Sequence, residues 1–283
     1  MPELPEVETA RSLIADRALH RRIVDVDDSD RYVTRPHAAG ELRSALTGRN
    51  LTAAHRRGKA IWAETSGTDD AAAGGGPELG VHLGMSGRIV VTDPDGAVAE
   101  GGDPYRYGAR QPKAEWRRFT LRFADGGSLV LLDPRRLGRV RLHPDIGALG
   151  PDAALVTPAE FRGLITKGRI AVKARLLDQS KIAGVGNLLA DEIAWQARVS
   201  PLARADSLTP AQVNRLYRAL KSTLESAIAK GGAHTGEIYA VRHAGGTCPR
   251  DGAPMEHGTV GGRSTWWCSR EQSIPAGQAA RPA

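Results

Sequence analysis

Cysteine, lysine and aromatic residues are all scarce in this chain of 283 residues. Two cysteines, Cys248 and Cys268, are too few for a disulfide framework, which excludes the small stapled secreted folds. Aromatic residues make up 5% of the chain, so its cores must rest on aliphatic side chains. No apolar run approaches the roughly 18 residues that would cross a membrane. The acidic start MPELPE lacks the basic and apolar regions of a signal peptide, so a cytoplasmic protein without membrane contact is expected. Lysine is nearly displaced by arginine, which supplies all but seven of the 39 basic side chains. Arginine makes bidentate phosphate contacts that lysine cannot, although a GC-rich genome would produce the same bias. What is present is length for two domains and an appendage, and a formal charge of +7 suited to a polyanionic partner.

The first eleven residues, MPELPEVETAR, carry the clearest chemistry. Removal of the initiator Met would leave Pro2 as a secondary amine at the chain end, with Glu3 and Glu6 close behind. A terminal amine has a reference pKa of about 7.8 against about 10.4 for a Lys side chain, so it is far more often a free base at neutral pH. Pro5 suits the first turn of a helix, and Val7, Ala10, Ile14 and Ala18 recur at helical spacing. The helix would point the positive end of its dipole at Pro2 and Glu3, favouring an uncharged amine and attracting phosphate. An acidic helix start of purely structural meaning explains the same residues.

Further along, residues 21 to 35 read as a strand, GELRSALTG as a short helix, and LTAAHRRGKAIWAE as a strand pair carrying Lys59. A Gly-rich loop at 66–80 precedes VHLGMSGRIVV, read as strand, turn and strand, blandly a β-hairpin with a core Met85 and a surface His82. After a second loop at 92–113, strands flank the Asp125-Gly126 turn and a third runs toward His143. Beyond LGPDAAL the pattern becomes helical: Thr157 caps one helix, AVKARLLDQ and NLLADEIAWQA follow, and a long helix ends at Gly231 and Gly232. The SKIAGVGN link holds two glycines before a helix N-terminus, a geometry that can receive an anion. Each segment taken alone has an ordinary structural explanation.

In order, however, PELPEVE, RGK, HLGMSG, DPRR and GVGN resemble the formamidopyrimidine-DNA glycosylase and endonuclease VIII family over nearly the whole chain. The resemblance implies an α+β protein: an N-terminal β-sandwich with flanking helices (1–148), a helix-two-turn-helix domain (149–235), a β-hairpin finger (236–272) and a tail (273–283). It also implies a bifunctional DNA glycosylase and abasic-site lyase of base excision repair, a monomer acting on damaged duplex DNA in the nucleoid. In that family the N-terminal Pro attacks C1′ as a Schiff-base nucleophile, β,δ-elimination follows, and the next Glu protonates the sugar. Those roles fall on Pro2 and Glu3, with Glu6 supporting and Lys59 contacting the backbone and assisting elimination. His82 would approach a phosphate, while Met85 would fill the gap left by a flipped base. Arg135 would enter the gap opposite the orphaned base. Leu137 stands where the family has an aromatic wedge, which lowers stacking area. Asn187 and, with it, Lys173 would hold phosphate, and Arg263 in GGRSTWWC matches the finger Arg that assists δ-elimination.

The finger departs from the family in one respect. Its pattern is CPRD and CSRE, so Asp251 and Glu271 stand where zinc-binding cysteines are usual. Two thiolates and two carboxylates, even with His257 nearby, make a weak structural zinc site. The expectation is a zincless finger without cofactor, in which Cys248 and Cys268 are partial ligands at most and Trp266 and Trp267 anchor the hairpin. The interval from Gly231 to Arg242 is shorter than in members that cap 8-oxoguanine there, which leaves ring-opened purines, oxidised pyrimidines, hydantoins and abasic sites. A non-catalytic lesion-binding protein, or a lyase with little glycosylase activity, would share most of these motifs.

Overall fold

The computed structural model describes residues 2–67, 75–103 and 113–274. Parts of the loops read at 66–80 and 92–113, and most of the tail at 273–283, lie outside the described residues. The chain divides into two compact units that meet in sequence at Ile146 and Gly147.

The first unit opens with helix α1 (Leu4–Arg17), whose apolar positions Leu4, Val7, Ala10, Leu13 and Ile14 are all buried. This face is wider than the periodicity of Val7, Ala10 and Ile14 alone suggests. Five strands make one sheet: β1 (Ile23–Asp27), β5 (Arg88–Thr92), β6 (Val98–Gly102), β7 (Arg117–Phe123) and β8 (Ser128–Leu132), ordered β1-β7-β8-β5-β6. Four more make the second: β2 (Leu51–Arg57), β3 (Ala60–Thr65), β4 (Leu79–His82) and β9 (Arg139–Leu142), in that order across the sheet. All pairings are antiparallel. One apolar cluster joins α1 to both sheets through Ile23, Ile61, Val81, Ile89, Phe119 and Val140. Helix α1 comes so close to β6 that a Cβ at Gly101 would lie 2.7 Å from Ala10 Cα.

Two expectations change here. The strand read over 21–35 stops at Asp27, because Asp30 caps a short helix α2 (Arg31–Thr34) through Oδ1, which accepts from the N–H groups of Tyr32 and Val33 at 3.1 and 3.3 Å. Helix α3 (Glu41–Leu46) follows as expected. More consequentially, β4 and β5 are not a hairpin. They belong to different sheets, so HLGMSG is a corner of the sandwich, and DPRRLG, between β8 and β9, is a second one. Since β4 pairs with β9 and β5 pairs with β8, the two crossovers run side by side.

The second unit holds α4 (Pro158–Ile165), α5 (Val172–Leu177), α6 (Asn187–Gln196) and α7 (Pro210–Ala229). Thr157 and Glu160 form the expected capping box on α4, and Thr209 with Gln212 forms another on α7. A hairpin of β10 (Met255–Val260) and β11 (Arg263–Cys268) ends the unit. It shares an apolar cluster with Trp195 of α6, so helices and finger are packed as one body within the unit.

Candidate active site and nucleic-acid interface

Pro2 and Glu3 are buried at the N-terminal end of α1. Pro5 lies in the first turn, where its missing N–H costs no helical bond. Glu6 is buried and reaches back so that Oε2 accepts from the Glu3 N–H at 2.9 Å. Glu6 thereby fixes the backbone that carries Pro2 and Glu3. Further along the helix, Glu8 is gripped by Arg11 at 2.7 Å and by Arg56 of β2 at 2.7 Å. Burial raises the Glu8 pKa, but the two guanidiniums outweigh it and hold the carboxyl below its usual range. Arg56 therefore acts as the tie between α1 and β2. Its neighbour Lys59 occupies the two-residue turn after Gly58, which has φ +58°, and the strands close there at Arg57 and Ala60.

The register Ala60↔His82↔Arg139 sets three side chains beside one another across β3, β4 and β9. Gly84 donates its N–H to His82 Nδ1 at 3.0 Å, so in the neutral ring the proton sits on Nε2. The His82 side chain is exposed, yet the protein beside it removes part of its hydration and Lys59, Arg139 and Arg141 add repulsion; together they lower its pKa. These surroundings favour the neutral ring, with its proton on Nε2. Met85, Arg135 and Leu137 all lie on the two adjacent corners, and Leu137 is 39% exposed.

Arginines in this unit fall into two groups. Arg21, Arg88, Arg118 and Arg122 have acidic partners in Asp125, Glu100, Asp30 and Asp25. Among the described residues, no carboxylate lies within 4.0 Å of Arg35, Arg135, Arg139 or Arg141. These four gather around α2, β9 and the DPRR corner. Burial, then Arg35 and Arg141, lower the pKa of Arg139, and Tyr32 and Asp133 offset this only in part. Tyr32 is 57% exposed with the Arg35 guanidinium 4.7 Å and the Arg136 guanidinium 5.4 Å from its ring centre.

In the second unit, Asn187 is the first residue of α6, behind Gly186 as N-cap and Gly184 at φ +116°. Its Oδ1 is buried without a hydrogen-bond partner among the described residues. Arg263 is exposed at the start of β11, after Gly261 and Gly262 at φ +56° and +68°. Positive φ at both positions makes the tight hairpin turn that matches strand twist.

Lys173 requires a correction. It is fully buried rather than available to phosphate: Nζ lies 2.6 Å from Asp191 Oδ1 and donates to Ser264 O and Thr265 Oγ1 at 2.9 Å each. Asp191, also fully buried, takes Arg242 at 2.7 Å and the Trp266 N–H at 3.3 Å on Oδ2. This pair joins α5 and α6 to the strand that presents Arg263. Sequence offered no partner for Lys173, since Asp191 lies in what reads as an ordinary helix face.

The donor set of the finger does not fit a closed structural zinc site. Cys248 Sγ, Cys268 Sγ and a carboxylate oxygen of Asp251 lie within 4.8 Å of one another. Glu271, the fourth position, is instead bound by Arg250 at 2.5 Å and Arg198 at 3.3 Å. His257 faces Ser264 Oγ at 3.0 Å and packs on Trp266. Burial raises the Cys268 pKa, which favours the thiol over the thiolate a metal needs. The two arms are joined by other means. Arg250 lies 3.8 Å from the Trp195 ring centre and donates to Trp195 O at 3.2 Å while holding Glu271. Trp195 Nε1 donates to Cys248 Sγ at 3.3 Å. Trp266 packs against this cluster as expected, and Trp267 bonds Glu256 at 2.7 Å, but the central anchor is Trp195. Its place in the last turn of α6 gave no sequence signal of that role.

A sandwich with an N-terminal buried Pro-Glu pair, a glycine-led helix pair and a hairpin finger defines a class of DNA-repair folds. Residues 1–140 match the family described as formamidopyrimidine-DNA glycosylase N-terminal domain, and residues 148–238 match its H2TH domain. The chain belongs to the formamidopyrimidine-DNA glycosylase family. It is 32% identical over 295 residues to a formamidopyrimidine-DNA glycosylase of Arabidopsis thaliana, covering 97% of this chain and 71% of that protein. It is 35% identical over 295 residues to the protein of that name from Thermus thermophilus, covering 95% and 97%. Among solved structures it resembles Lactococcus lactis Fpg in complex with DNA containing an abasic site, with TM-score 0.78, 25% identity, and coverage of 96% of this chain and 100% of that one. The same Lactococcus protein bound to DNA containing an oxidized pyrimidine gives 0.78 and 26% with the same coverage.

Proposed function

We propose that this protein is a bifunctional DNA glycosylase and abasic-site lyase of base excision repair, with Pro2 as the nucleophile once the initiator Met has been removed. The observation that carries the reading is the buried Pro2-Glu3 pair at the head of α1, its backbone fixed by Glu6. Family membership supports it, as do relatives named for glycosylase activity and the Lactococcus complexes with abasic-site, oxidized-pyrimidine and FAPY-dG DNA.

The Pro2 nitrogen attacks C1′ while the C1′–N bond to the damaged base breaks and the base leaves with a proton. Glu3 donates a proton to the sugar ring oxygen, the ring opens, and an iminium links Pro2 to C1′. That cation acidifies the C2′ hydrogen, so loss of a C2′ proton expels the 3′-phosphate. A second elimination expels the 5′-phosphate, and hydrolysis of the iminium releases the amine. The protein amine is the electron sink, and none of these steps calls on a metal or cofactor. Lys59 and Arg263 stabilise the departing phosphates, and Asn187 holds a backbone phosphate at the head of α6. Neutral His82 donates through Nε2. The arginines around α2 and β9, which have no ion-pair partner among the described residues, supply salt-dependent backbone affinity. The protein acts as a monomer on chromosomal DNA.

The shortened interval from Gly231 to Arg242 favours ring-opened purines, oxidised pyrimidines and abasic sites over 8-oxoguanine. Borohydride trapping on duplexes carrying each lesion tests the reading, with Pro2→Gly and Glu3→Gln alongside. A Pro2-dependent adduct supports it, and adduct on the abasic duplex alone would reduce the function to a lyase. Tight binding without any adduct would leave a DNA-binding protein.

A further inference from the structure

Ser86 and Asp133 belong to the two sandwich corners that carry Met85 on one side and Arg135 and Leu137 on the other. Asp133 is fully buried, Ser86 is 2% exposed, and neither was singled out by the motifs around them. Ser86 Oγ donates to Asp133 Oδ1 at 2.5 Å, and the Arg135 N–H donates to the same oxygen at 3.1 Å. Oδ2 accepts from the N–H groups of Leu137 and Gly138 at 2.7 and 2.6 Å. One carboxylate therefore fixes the whole Arg135–Leu137 turn, and among the described residues its one side-chain donor comes from the residue next to Met85.

Backbone contact makes the same connection independently. Gly84 has φ +61°, and a Cβ there would lie 2.4 Å from the Leu137 carbonyl carbon. Gly87 closes its own corner by donating to Leu83 O at 2.7 Å, and a Cβ there would overlap that oxygen at 2.4 Å. The corners are thus in direct contact, cannot separate without exposing a buried carboxylate, and leave no room for a side chain between them.

We infer that Ser86 and Asp133 are positioning residues that latch the two corners into one preformed wedge, so that Met85 and the Arg135–Leu137 turn enter a DNA duplex together. This rests on the proposed glycosylase reading, and it adds a requirement that reading does not contain. Insertion on the damaged strand and insertion opposite it become one event. A duplex substrate needs both, whereas a single-stranded abasic site has no stack to open.

The test compares wild-type protein with Ser86→Ala, which removes only the latch hydroxyl, and with Asp133→Asn, which keeps the side-chain size. Three readouts are taken: borohydride trapping on a single-stranded abasic oligonucleotide, single-turnover excision from a lesion duplex, and fluorescence of 2-aminopurine placed opposite the lesion. Loss of one hydrogen bond to a charged group predicts about a tenfold slower duplex excision for Ser86→Ala. The 2-aminopurine signal in the complex should fall as well, although Ser86 lies on the Met85 corner, while single-strand trapping stays at the wild-type level. A parallel loss of single-strand trapping would mean general damage to the protein and would overturn the latch, as would wild-type duplex excision and fluorescence in Ser86→Ala and Asp133→Asn. If wild-type protein gives no adduct on any substrate, the glycosylase reading itself fails, an outcome separate from either of these.

Discussion

Replacing Lys173 with Met should destabilise the second unit without changing the salt dependence of DNA binding. Methionine fills the aliphatic volume but removes the ammonium that sits 2.6 Å from Asp191 and donates to Ser264 and Thr265. Removing one partner of a buried ion pair typically costs about 3–5 kcal/mol, because the other charge is left behind. Arg242 still engages Asp191 at 2.7 Å, so the lower end, about 3 kcal/mol, is expected here. Adding Asp191→Asn should restore part of that loss by removing the stranded charge. Urea unfolding followed by tryptophan fluorescence is suited to the measurement, since Trp195, Trp266 and Trp267 all lie in this unit. If Lys173 instead bound phosphate, unfolding would be unchanged and the slope of log K against log salt would fall by about one. That pair of results would refute the structural role.

Other consequences are equally open to measurement. Because the folded His82 pKa is lowered below the unfolded value near 6.5, the folded state takes up its proton less readily; stability contributed above about pH 6.5 is lost as pH falls, and His82→Gln should flatten that decline in thermal melts. Arg139→Ala with Arg141→Ala should lower the magnitude of the salt slope for duplex binding by about two, equally for damaged and undamaged DNA; an unchanged slope would remove β9 from the interface. Incubation with a chelator should leave the melting temperature and duplex affinity unchanged, whereas Arg250→Ala should lower the former; stoichiometric zinc by elemental analysis would contradict the donor geometry of the finger.

Residue pattern made the element order and the motif positions legible, because helical and strand periodicity survive without tertiary information. Val7, Ala10 and Ile14 marked α1, and Gly261 and Gly262 marked the turn before Arg263. Sheet membership was not legible: VHLGMSGRIVV has the local signature of a hairpin, and only the pairing of β4 with β9 and β5 with β8 makes it a corner. Partners distant in sequence were hidden for the same reason. Lys173 looked like a surface cation because lysine is rarely buried, and its acid lies on the next helix. Glu271 was seen only to stand where a zinc-binding cysteine is usual, since spacing cannot show that Arg250 and Arg198 hold it. Asp133 was visible within DPRR, yet its value comes from Ser86, 47 residues earlier.

The proposed chemistry stands or falls on the chain's own terminal amine. Protein lacking Met1 should be reduced with borohydride on abasic-site duplex DNA, digested, and analysed by mass spectrometry of the cross-linked peptide. A single adduct on the Pro2 nitrogen is expected, absent from protein that retains Met1. An adduct on Lys59 or another side chain of wild-type protein, or none at all, would contradict that role for Pro2.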